Sequence, residues 1–205
     1  MATTVVFTGW FVIEVVWAAL GLRLSEAGTD KVAYRAHIAP YEFASEVKLY
    51  GYLLAAAVFV CWLFRARLNA EIIRDYPHRW GRSWLVLGWI VPLLNFWIPR
   101  QVVGDVWRAS DSAGLDRPAG RRPWPVYAWW IPWLLNIPLG AMVGGTSESA
   151  DLIVFSAGNA IIAGVLALAV VWQISLFQEA HAARIVQALS DGPTVPGPTG
   201  YGSVT

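Results

Sequence analysis

Charge is scarce in this chain. Asp, Glu, Lys and Arg make up 14% of its 205 residues, against about 25% in ordinary soluble domains. A lone cysteine, Cys61, excludes an intrachain disulfide. Of three histidines, His78 sits in an Arg-rich turn with no second ligand at metal spacing, so no metal site is expected. A net charge of +1 gives no electrostatic footprint for nucleic acid. No nucleophile, phosphate-loop, dinucleotide or aspartate-rich diphosphate motif occurs, so no cofactor is expected. No Lys or Arg precedes the first apolar run, which therefore reads as a retained span and not as a signal peptide.

Apolar length is abundant instead. Hydrophobic residues reach 57%, and apolar runs fall near 4–22, 49–64, 83–98, 124–145 and 152–177. A spanning helix needs roughly 17–25 such residues. The expected fold is an all-α integral membrane protein with one membrane domain, 1–189, and a disordered Gly/Pro/Ser/Thr-rich tail, 190–205. Residues 25–46 are polar and mixed, long for a simple connector and with room for a short interfacial helix around 31–37, and they lead into the second span, 47–68.

Residues 83–98 number only sixteen and carry Pro92, with Pro99 just beyond. Proline removes a backbone donor and disfavours a straight helix. If this segment returns to the face it entered, eleven positive residues share one side against four on the other. That arrangement obeys the positive-inside rule. It predicts four full spans plus a proline-broken re-entrant segment, an interfacial helix over 99–110, and both termini on the cytoplasmic side of a bacterial membrane. Non-helical backbone at that depth needs a protein or wet-cavity environment, which makes Asn95 a cavity candidate.

Thirteen tryptophans are the other excess. An interfacial belt accounts for Trp10, Trp80, Trp84 and Trp124, and less well for Trp89, Trp129, Trp130 and Trp133. Trp10, Glu14, Trp17 and Gly21 share one helical face of the first span. A carboxylate there costs about 2.5–3.5 kcal/mol, so Glu14 should face the bundle interior and be largely protonated. Asp105 and Arg108 stand at i, i+3 and should pair. Trp129, Trp133, Asn136 and Gly140 share a face of the fourth span, with Gly140 and Gly144 at close-packing spacing. Ser156, Asn159 and Gln173 are the polar residues of the fifth.

The centre of the chain resembles an actinobacterial membrane family described as domain of unknown function 4328. The likeness rests on Trp62, Phe64, Arg65, Arg67, Asn69 and Ala70, then Trp84, Gly88, Trp89, Pro92, Asn95, Trp97, Gln101, Asp105, Trp107, Arg108, Ala109 and Ser110, with Ile174, Gln178 and Glu179 in a closing helix. The departures are Trp97-Ile98-Pro99-Arg100-Gln101 where the family often has Trp-Arg-Pro-Tyr-Gln, and Asp105 where it often has Glu. The resemblance implies a membrane fold and assigns no activity. In size and class, though not in motif, the chain is also similar to small bacterial membrane terpene cyclases of the drimentine type, which finish prenylated indoles.

That second likeness implies an acid-initiated cyclase acting on a hydrophobic small molecule delivered from the bilayer. The expected proton donors are Glu14 and, less suited because Arg108 would keep it ionised, Asp105. Trp10, Trp17, Trp89, Trp97, Trp107, Trp129 and Trp133 would stabilise carbocations, and Asn95, Asn136 and Asn159 would orient polar groups. The alternatives are a non-enzymatic scaffold or sensor, in which these residues pack, and a small transporter. A homo-oligomer is compatible with all three.

Overall fold

The computed structural model describes residues 2–111, 123–145 and 149–191. The expected tail falls almost wholly outside them. Among the described residues six α-helices run in the order α1 Ala2–Ala27, α2 Lys31–Ile73, α3 Trp84–Ile90, α4 Ile98–Ser110, α5 Trp124–Gly145 and α6 Ala150–Ser190, with a 3-10 turn at Leu94–Phe96. Four of them, α1, α2, α5 and α6, are long and apolar enough to cross a membrane. The chain is an all-α membrane protein.

The connector expected over 25–46 is not one. After a tight turn at Gly28, whose φ is +51°, Asp30 accepts from the backbone N–H of Val32 at 2.9 Å and starts α2. The helix then runs 43 residues through Pro40. Its polar first third is held by packing on α1, which overrides its composition. The two helices are antiparallel and in register. Trp17 Nε1 donates to Ser45 Oγ at 3.0 Å, Lys48 pairs with Glu14, and a Cβ on Gly51 would stand 3.1 Å from Ile13.

The proline-broken segment is a helical hairpin. Val91 is extended, as a residue before proline prefers, and ends α3. Leu93 then takes a left-handed φ of 66°, and Pro99 opens α4 in its first turn. Chain direction reverses. Trp80 before α3 reaches Gln101 on α4, with Nε1 to Oε1 at 2.9 Å. The two arms touch at Gly88, where a Cβ would lie 2.8 Å from Ile98 Cγ2. Ile98 is fully buried and cannot swing away. Gly88→Ala is therefore expected to cost about 1–3 kcal/mol by overpacking, read as a lowered melting temperature in detergent. Gly140 makes no such approach, since a Cβ there would meet nothing within 4 Å. The close contact of this kind involves Gly164 of α6, which faces Phe11 and Trp10 of α1.

The main core joins α2, α4, α5 and α6 around Leu63, Val103, Val106, Val126, Val170 and Ile174. A smaller cluster at the far end holds Trp17, Ala44, Ile153 and Ala157.

Candidate functional site

The candidate residues separate into distinct places. Glu14 is fully buried, as expected for an interior-facing carboxyl. It is not alone. Lys48 Nζ stands 3.0 Å from its Oε2, although the approach lacks hydrogen-bond geometry. The same ammonium lies 3.4 Å from the Trp17 ring centroid, a cation–π contact. Glu14 thus has a basic side chain beside it, contributed by the neighbouring helix α2.

Trp89, Trp129 and Trp133 do come together, with Phe59 and Trp130. Trp89 lies 5.5 Å from Trp133, 6.3 Å from Trp129 and 5.8 Å from Phe59 by ring centroid. Trp130 stacks on Trp133 at 4.7 Å. These rings fill one another's space at the foot of the hairpin. Each such pair adds about 0.5–1.5 kcal/mol beyond burial. Trp97 is not among them, being 41% exposed. Trp10 packs on Phe11 instead, and Trp107 on Phe177. Asn136 and Asn159 are used on each other: Asn159 Nδ2 donates to Asn136 Oδ1 at 3.0 Å and to the Pro132 carbonyl at 2.9 Å. Asn95 Oδ1 and Trp89 Nε1 are buried without a hydrogen-bond partner.

Asp105 anchors a third place, a polar layer beside Arg67 in the last turns of α2. Its carboxylate is 1% exposed. Arg108 pairs with it at 3.2 Å, as the i, i+3 spacing predicts. The stronger partner is Arg79, whose Nη2 donates at 2.8 Å and whose backbone N–H donates at 3.2 Å. Nothing in the local sequence pointed to Arg79, because twenty-six residues separate the two. Beside it Arg67 holds Glu71 at 2.6 Å, and Arg82 holds the same carboxylate. Burial pushes the His78 imidazole below its ordinary pKa; Arg67 adds to this, while Asp105 and Glu71 oppose it. Gln178 of α6 donates to the Ala66 carbonyl and to Ser110 Oγ, both at 2.9 Å, and accepts from Asn69 at 3.0 Å. One amide therefore ties α2, α4 and α6.

A family model described as Domain of unknown function (DUF4328) matches residues 25–184. The chain belongs to the DUF4328 family. A search of curated proteins and one of solved structures find no match. Most of the polar residues that carried the resemblance in sequence, from Arg67 and Asn69 through Gln101, Asp105, Arg108 and Ser110 to Gln178, make contacts in this one layer, whereas Asn95 Oδ1 is buried without a hydrogen-bond partner. The DUF4328 motif of this chain is thus a fastening. It pins the turn 74–83 and the hairpin onto α2 and α6. The DUF4328 description names no activity, so membership carries the fold alone.

Proposed function

We propose that the chain is a non-enzymatic scaffold or sensor of a bacterial cytoplasmic membrane, with both termini on the cytoplasmic side. The observation that carries this reading is the pairing of Glu14 with Lys48 under the Trp17 ring. An acid that starts a cyclisation must hold a proton and face a reacting alkene. Glu14 has an ammonium neighbour, and Asp105 has two guanidiniums. Both serve better as structural anchors. The mutual packing of the tryptophans supports the same reading. The orientation draws support from the hairpin, which leaves Arg79, Arg100 and Arg108 at the end where Arg65 and Arg67 lie.

Cyclisation of a prenylated indole is the second reading. What favours it is the unpartnered buried pair of polar groups on the hairpin, Asn95 Oδ1 and Trp89 Nε1, which a polar head group could satisfy.

A charge exchange separates the two. In the scaffold reading Glu14→Lys with Lys48→Glu keeps the pair, and stability stays within about 1 kcal/mol of wild type. The wild-type protein in nanodiscs is expected to leave a prenylated indole alkene or epoxide unchanged. A cyclised product, made by wild type and lost in both Glu14→Gln and the exchanged variant, overturns the scaffold.

A further inference from the structure

A small cleft opens beside the polar layer, about 30 Å³ in volume, between α4, the turn before α3 and the start of α5. Arg79, Arg100 and Arg108 line it with Gln101, Gly104, Pro123, Val126 and Tyr127. No acidic side chain lines it among the described residues. The carboxylate of Asp105 sits beneath, buried, and fixes two of the three guanidiniums at 2.8 and 3.2 Å. Arg100 has no carboxylate partner among the described residues. Its guanidinium is held over the Tyr127 ring at 4.7 Å.

One buried carboxylate against three guanidiniums leaves excess positive charge, with planar donors already oriented. Planar guanidinium forks match phosphate oxygens in pairs. Tyr127 in its lining is 40% exposed, a residue type that anchors at a membrane interface. Basic clefts at helix ends on the cytoplasmic side suit lipid headgroups.

We propose that the Arg79–Arg100–Arg108 cleft binds a phosphate monoanion, presented by an anionic phospholipid or as the free ion. Asp105 sets the donors, and Arg100 supplies the uncommitted charge. The reading stands whether or not the protein is a scaffold.

The full chain in neutral detergent is titrated with short-chain phosphatidylglycerol, phosphatidylcholine and inorganic phosphate, with tryptophan fluorescence and native mass spectrometry as readouts. Phosphatidylglycerol should bind more tightly than phosphatidylcholine. Arg100→Gln should weaken it about tenfold, the worth of one charge-assisted hydrogen bond. Arg100 makes no ion pair among the described residues, so this variant should fold as wild type does, and an unchanged melting temperature checks that. Arg23→Gln, an exposed arginine on α1, should have no effect. Protection by inorganic phosphate that is lost in Arg100→Gln assigns the site to the free ion as well; protection by phosphatidylglycerol alone assigns it to lipid. If neither anion binds, or if Arg100→Gln and Arg108→Gln both leave binding unchanged, the proposal is overturned.

Discussion

Lys48→Met is expected to destabilise the protein by about 3–5 kcal/mol, the usual loss when one partner of a buried ion pair is removed. Glu14 is fully buried between Trp10 and Trp17, and no hydrogen-bond donor serves its carboxylate. Without the ammonium at 3.0 Å it must take up a proton or drag water into the α1–α2 seam. The cation–π contact with Trp17 is lost as well. Glu14→Gln with Lys48→Met removes both charges together. That double variant should recover to within about 1 kcal/mol of wild type, because a neutral pair avoids the desolvation of both ions. Unfolding titrations on the four proteins of this cycle give the coupling energy directly. A Lys48→Met protein as stable as wild type would mean that Lys48 extends to water and leaves Glu14 alone.

The second large effect is at Asp105. Asp105→Ala removes the acceptor, itself 1% exposed, that Arg79 and Arg108 share and leaves two guanidiniums facing each other. The backbone N–H of Arg79 loses its partner too. A loss of about 1–3 kcal/mol is expected from the lost charge-assisted hydrogen bonds and the unserved backbone N–H, since the two guanidiniums are themselves 49% and 31% exposed and can turn to water. Asp105→Asn keeps one acceptor oxygen and should lose about half of that. The distinctive consequence is local. The turn 74–83 is held to α4 chiefly through Arg79 and through Trp80 on Gln101. Released, it should be cut by trypsin after Arg79 and Arg82 many times faster than in wild type, at temperatures well below global unfolding. Equal cleavage rates in the two proteins would show that the turn is held elsewhere.

The reversal of α3 into α4 illustrates how far local chemistry reaches. Pro92 and Pro99 were enough to expect a broken segment, since each forbids the hydrogen bond a straight helix needs there. The positive-inside pattern was enough to expect a return to the same face. Asp105 and Arg108 could be paired from their spacing on one helix. The continuous α2 was hidden. Its first third is polar and carries Pro40, so composition argued for a connector, and only the α1 partner makes a helix there worthwhile. Lys48 stood in plain view at the head of an apolar run, yet its target lies on another helix, thirty-four positions back in the chain.

The sequence by itself determined the membrane class, the four spans, the proline-broken insert and the burial of Glu14. Those properties follow from apolar length, from missing backbone donors and from the cost of a charge in hydrocarbon, and all are local. Only the tertiary structure decided which groups meet: Glu14 with Lys48, Asp105 with Arg79, Gln178 with two other helices, and the tryptophans with one another. Helix periodicity says which face a side chain occupies. The rotation and offset of one helix against another arise from close packing at glycines such as Gly88 and Gly164, a property of pairs of surfaces that no single stretch encodes.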